Sequence, residues 1–132
     1  MREILFRGKL TANGKWSEGN LVVNKRGVCV ITPDETPIGT YGQVDPETVG
    51  QYTGLTDKNG KKIFEGDILS ERPLMNSVAY VGCVKYSDEN SAFEIVFDTG
   101  SSFVLGSYSK SYTVIGNIHD NPELLKGGVD NG

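Results

Sequence analysis

Apolar positions in this chain repeat every second residue in short runs, the spacing of half-buried strands rather than of helices. From Glu3 to Leu10, Ile4, Phe6 and Leu10 fall on one side and Arg7 and Lys9 on the other. Asn13-Gly14 then supplies a tight hairpin turn, because both residues tolerate positive φ, and Trp16 starts the returning strand. Leu21 to Val23 and Gly27 to Thr32 read as further strands. Pro33 to Pro46 holds three prolines and no apolar period, so it reads as a long connection that packs as an ordered loop or reaches a neighbour.

The second half continues the pattern. Thr48 to Thr53 is a short strand, followed by a loop from Gly54 to Gly60 that ends in another Asn-Gly turn. Lys61 to Phe64 is extended, Glu65-Gly66-Asp67 breaks it, and Ile68 to Ser70 resumes. Between Val78 and Tyr86 both alternating faces carry apolar groups, which predicts a central strand covered on two sides. Phe93 to Phe97, Phe103 to Leu105 and Tyr112 to Ile118 follow, separated by polar turns. Asn121 before Pro122 and Glu123 predicts one helical turn with Asn121 as its cap.

The predicted fold is mainly β. Five short strands between residues 61 and 118 suit a small SH3-like barrel in the C-terminal part, since closure hides strand edges. Residues 1–50 form an N-terminal β-hairpin subdomain with the long proline-containing loop, 51–126 the barrel with one short C-terminal helical turn, and 127–132 a frayed tail. Edges left open would be hidden by pairing between copies of the chain.

Composition agrees with sheet. The 132 residues hold 13 Val, 8 Ile, 9 Thr and 12 aromatics, against 14 Ala, Leu and Met together. No run of 18 apolar residues and no signal-peptide pattern at the start are found, which predicts a soluble, unexported protein with no membrane partner. Cys29 and Cys83 stand in apolar surroundings; buried reduced thiols are the plainer reading, a bridge or a reactive thiol the alternatives. The net charge of −4 is unevenly spread: residues 1–26 carry six basic and two acidic groups, and residues 27–57 five acids and no base. A basic face beside an acidic belt suits subunit pairing or contact with a short stretch of nucleic acid, but not binding dominated by phosphate contacts.

Catalytic signatures fail on spacing. Gly54 to Lys61 resembles a phosphate loop, yet five residues separate its glycines and Lys62 stands where Ser or Thr should hold magnesium. Asp57, Asn59 and Lys61 open like a calcium loop, but Lys61 is a cation, Lys62 replaces the turn glycine and Ile68 the bidentate glutamate. His119, the one histidine, lacks the companions of a zinc site or a nucleophilic triad. Glu65 and Asp67 would lie side by side on a strand and, with His119, are the candidate residues of an enzyme; solvated acids in a turn and a hydrogen-bonded histidine are the plainer reading. No metal or cofactor is predicted. Arg7, Lys9, Lys15 and Trp16 gather around one hairpin and, with Lys58, Lys61 and Lys62, could hold nucleic acid by stacking beside cations, although the aromatics are also needed for a core.

The block from Thr48 to Leu69, containing Gly50-Gln51-Tyr52-Thr53-Gly54-Leu55 and Glu65-Gly66-Asp67-Ile68-Leu69, strongly resembles the signature of the YopX protein family of phages and prophages. The stretches Ile4 to Lys9, Gly82 to Tyr86 and Val114 to Leu124 agree with it in family order. The resemblance implies a small, mainly β protein encoded by a phage or integrated element and working in a bacterial cytoplasm; it carries over no catalytic residues. Gly50, Gly54, Gly60 and Gly66 with Tyr52, Leu55, Ile63, Phe64, Ile68 and Leu69 explain the signature as a folding device. A ligand or partner surface around Gln51, Tyr52 and Asp67 is the alternative. The leading expectation is therefore a non-enzymatic binding or assembly module that pairs with itself and with a host or phage protein. A nucleic-acid-binding module and an enzyme using Glu65, Asp67 and His119 are the other two.

Overall fold

The computed structural model describes residues 2–33, 42–71 and 80–126. The expected tail at 127–132 and most of the expected loop from Pro33 to Pro46 lie outside them. The described residues form β1 (Phe6–Lys9), β2 (Trp16–Val23), β3 (Cys29–Thr32), β4 (Gly42–Val44), β5 (Gly50–Thr56), β6 (Lys62–Phe64), β7 (Asp67–Glu71), β8 (Tyr80–Ser87), β9 (Ala92–Phe97), β10 (Ser102–Val104), β11 (Thr113–Asn117) and α1 (Glu123–Lys126). Two sheets result, with strand orders β4-β3-β2-β1-β5-β6 and β10-β9-β8-β7-β11, every described pairing antiparallel. The chain divides into two compact units, residues 1–54 and 55–132.

In the first unit β1 and β2 form the expected hairpin, with Lys9 opposite Trp16 and Phe6 opposite Gly19. The two strands read separately at Trp16 and at Leu21 to Val23 are one continuous β2. Its length is possible because Gly19 lets β3 come close: a Cβ there would stand 2.2 Å from the Thr32 carbonyl oxygen. Cys29, Ile31 and Val44 are the buried centre, packed by Phe6, Leu10, Leu21 and Val49. The alternation assigned to residues 3–10 is displaced at its start. Leu5 is buried and Ile4 is 58% exposed, because Leu5 precedes the paired part of the strand and its carbonyl accepts the Tyr52 N–H.

In the second unit the apolar face of β7, β8 and β9 carries Leu69, Val84 and Ile95, all essentially buried together with Ile63, Leu105 and Tyr112. Burying each such Leu or Ile contributes about 1.5–3 kcal/mol. The central strand expected around Gly82 is β8, third of five. Its middle, Gly82 to Val84, is buried, while Tyr80, Lys85 and Tyr86 are exposed.

The expected SH3-like barrel is not closed. Among the described residues this sheet is open, with β10 at one edge and β11 at the other. The chain passes from one edge to the other through two short 3-10 turns, Leu105–Ser107 and Ser109–Ser111. These bring Leu105 and Tyr112 onto the apolar face, so the crossover covers that face instead of the sheet curling on itself. Edge strand β11 carries a bulge between Val114 and Gly116, and Ile115, the extra residue, is exposed.

The helical turn forms where expected, but Asn121 does not cap it with its side chain. Asn121 Oδ1 instead accepts the Asn117 N–H at 3.3 Å and lies over Gly116.

Candidate functional site

The β1–β2 hairpin assembles the basic group read from the sequence. Antiparallel pairing sets Arg7 opposite Glu18 and Lys9 opposite Trp16, so all four side chains share a sheet face. The Arg7 guanidinium carbon lies 4.8 Å from the Trp16 ring centroid and Lys9 Nζ 5.6 Å from it. Both are cation–π distances. Lys15 is exposed in the turn, where its N–H donates to Asn13 Oδ1 at 2.9 Å. Lys58, Lys61 and Lys62 belong to the second unit: Lys58 and Lys61 are exposed on the β5–β6 turn, and Lys62 is half-buried.

That turn is organised by Asp57, the first residue of the segment whose sequence opens like a calcium loop. Asp57 is 1% exposed. Its Oδ1 accepts the N–H groups of Asn59 (2.8 Å) and Lys61 (2.9 Å), and its Oδ2 that of Val114 (3.0 Å). Gly60 takes φ +84, which lets the chain reverse inside the loop. Burial alone would raise the carboxyl pKa, but the N–H bonds from Val114, Lys61 and Asn59 and the Lys61 charge outweigh it and hold it below its ordinary value. The carboxylate is a structural anion, filled by backbone donors.

Gln51 is half-buried and paired with Phe6, while Tyr52 is 8% exposed. Both lie in the first unit, and Asp67 in the second. Asp67 is 2% exposed, and its Oδ2 accepts the Phe64 N–H at 2.7 Å, closing the Glu65-Gly66 turn. The backbone brings the remaining enzyme candidates alongside: Asp67 pairs with Asn117, and Ile118 N–H donates to the Gly66 carbonyl, so Glu65 and Asp67 flank the segment that leads to His119. His119 and Asp120 donate their N–H groups to Asn117 Oδ1, each at 2.9 Å. Among the described residues no three His, Cys, Asp or Glu side chains are placed to hold a metal ion.

Both cysteines are free and buried. Burial pushes the Cys83 thiol pKa up, Lys85 opposes this, and the Asp67 and Glu65 charges add to it. A thiol held protonated is a poor nucleophile.

A feature that sequence reading missed lies at one end of the second sheet. Glu71 pairs with Tyr80, Gly82 with Phe97 and Ile95 with Phe103, which puts Glu71, Tyr80, Phe97 and Phe103 on the same face as the buried core. The rings meet edge to face, with centroids 6.4 Å apart for Tyr80 and Phe97, 6.0 Å for Phe97 and Phe103, and 5.9 Å for Phe103 and Tyr108. Tyr80, Phe97 and Phe103 line a groove of about 480 Å³ together with Tyr112, Leu124 and Leu125. Period-two aromatics signal a strand face, but not whether neighbouring chain covers it, so the sequence places these rings on strands without marking a groove.

A family model described as YopX protein matches residues 6–126. Two solved structures are similar in fold. Protein EF1440 from Enterococcus faecalis is 28% identical, with TM-score 0.64 over 95% of this chain and 99% of that one. Protein yopX from Bacillus subtilis is 18% identical, with TM-score 0.61 over 95% and 97% of the two chains. No curated protein matches the chain. Among the described residues no helix is long and apolar enough to cross a membrane.

Proposed function

The chain belongs to the YopX protein family, and from that premise we propose a phage- or prophage-encoded accessory protein of the bacterial cytoplasm, a non-enzymatic module that binds or assembles through its surface. It pairs with copies of itself and with a host or phage protein. The observation that carries this reading is the concentration of exposed apolar groups on the second unit, where Tyr80, Phe103 and Tyr108 are 58%, 49% and 47% exposed. Clustered exposed apolar side chains mark interaction surfaces, whereas single ones do not. The open edge β10 supports the same reading, since among the described residues it pairs with β9 alone and an unpaired edge invites strand addition. The bacterial sources of the two similar structures suit the proposed host. Light scattering of the purified protein over a wide concentration range tests self-association. A mass that rises with concentration supports it, and a monomer throughout overturns it.

A second reading, a nucleic-acid-binding module, is favoured by the grouping of Arg7 and Lys9 over Trp16. Lys15, Lys58, Lys61 and Lys62 would add phosphate contacts. Fluorescence anisotropy with single- and double-stranded DNA and RNA tests it. Binding that weakens steeply with salt supports it, and no binding at low salt overturns it.

A further inference from the structure

The groove on the second unit crosses four adjacent strands, from Glu71 on β7 through Tyr80 on β8 and Phe97 on β9 to Phe103 on β10. Three strand spacings make it about 14 Å long, the reach of about four extended residues. Its volume falls in the range of ligand sites, roughly 300–1,000 Å³. Its floor is aromatic and aliphatic, and its charged lining has one sign: Glu71 and Asp98 are there, and no Lys, Arg or His is among the described lining residues. The carboxylates sit two strands apart, Glu71 at the end of β7 and Asp98 just after β9. Aromatic rings set at steep angles with acids at the rim make a receptor for a cation on an apolar stem, because ring faces and carboxylates both carry negative potential. Anions are disfavoured by the same charges.

Building on the binding-module reading, we infer that this groove takes a short segment of a partner protein that carries Lys or Arg side chains on either side of apolar ones. The apolar residues fill the space over Phe97, and the basic heads reach Glu71 and Asp98. Charge complementarity selects the occupant, and the length of the groove favours a peptide over a free small cation.

The probe is fluorescein-labelled Lys-Leu-Phe-Lys, blocked at its C-terminus as the amide, measured by anisotropy against the full chain, with the Glu-Leu-Phe-Glu counterpart as control. The lysine peptide binds, the glutamate peptide does not, and added salt weakens the complex. Tyr80→Ala and Phe103→Ala, at exposed positions, each weaken binding about two- to thirtyfold. Glu71→Gln and Asp98→Asn, which keep shape, weaken it and reduce its salt dependence, while thermal melting shows all four variants folded. No binding of the lysine peptide, equal binding of the glutamate peptide, or equal affinity for n-butylammonium overturns the inference. Light scattering of the same samples separates its failure from that of the broader reading. A chain that ignores the peptide but loses self-association in Tyr80→Ala and Phe103→Ala uses the groove for a second copy, which overturns the peptide and leaves the assembly module standing.

Discussion

Val114 donates its backbone N–H to Asp57 Oδ2 at 3.0 Å and so ties the β5–β6 turn to edge strand β11 across 57 positions of sequence. The turn's own N–H groups, from Asn59 and Lys61, fill the other oxygen. One buried carboxylate therefore fixes both the shape of a loop and the place of a distant strand. The carboxylate stays ionised although buried because three backbone donors, helped by the Lys61 charge, offset its burial.

Replacing Asp57 by Asn leaves one oxygen and turns an amide donor against the N–H groups that faced the other. Hydrogen bonds to charged groups contribute about 1.5–3 kcal/mol each, so Asp57→Asn is expected to cost at least one such bond. The carboxyl pKa in the folded chain is held below its unfolded value of about 3.9. A carboxyl depressed on folding stabilises fully above its unfolded pKa, and that stability is lost as pH falls through the folded pKa. Urea melts between pH 7 and pH 2 should show the native chain losing this contribution below about pH 4, and Asp57→Asn, already without it, giving a flatter profile. Identical profiles refute the role.

Asp57 also marks the boundary of what the sequence made legible. That it lies in a turn follows from the Asn59-Gly60 pair, and that the turn is no calcium site follows from Lys61, Lys62 and Ile68. Its bond to Val114 depends on tertiary placement and leaves no local trace. The same division runs through the fold. Period-two runs located most strands, and the Asn13-Gly14 and Asn59-Gly60 pairs located two of the turns, because both signals are local. β4 went unread, since Gly42–Val44 is only three residues long and Val44 reaches 0% exposure through its pairing with Cys29. The barrel was inferred from the need to hide edges. The structure meets the need of the apolar face with Leu105 and Tyr112 on a crossover, a solution no strand pattern encodes. Of the candidate residues, the Arg7, Lys9 and Trp16 group was readable because hairpin register follows from the turn. The groove was not, because its rings carry the same pattern as a covered face.

Gly19 is required by a close approach of backbone, not by its φ. A Cβ at this position would meet the Thr32 carbonyl oxygen at 2.2 Å and the Pro33 Cα at 2.8 Å, and neither is a flexible side-chain end. Gly19→Ala must push β3 away from β2 and is expected to cost near or above the top of the ~1–3 kcal/mol typical of overpacking. Gly106→Ala, where a Cβ meets nothing within 4 Å, is the control and should leave the melting temperature nearly unchanged. Paired thermal melts decide between them.

Cys83 should be unreactive toward aromatic disulfide reagents in the folded chain. It is 3% exposed, and burial with the neighbouring acids keeps its thiol protonated beyond the ordinary range. Raising the pH from 7 to 9 should therefore barely speed labelling at this position, whereas denaturant exposes both cysteines at once. Mass spectrometry after brief labelling reads each site separately. Rapid native modification of Cys83 would show that β8 opens locally far more often than its burial implies.

Trp16 gives the N-terminal hairpin its own reporter, because it is the chain's one tryptophan. Arg7 and Lys9 cover part of its ring, so Arg7→Gln should uncover that face and raise the acrylamide quenching of its fluorescence. The cost in stability should stay small, about 0.5–1 kcal/mol for a cation–π contact of this exposure. Arg7→Lys should fall between the two, since an ammonium covers less ring than a planar guanidinium. The same variants bear on nucleic-acid binding, because a base that stacks on the part of Trp16 covered by Arg7 must displace it. If the ring is a stacking platform, added oligonucleotide protects it from quenching in Arg7→Gln as well as in the native chain, and more strongly at low salt. If Arg7 only packs the hairpin, quenching rises in Arg7→Gln and oligonucleotide leaves it unchanged.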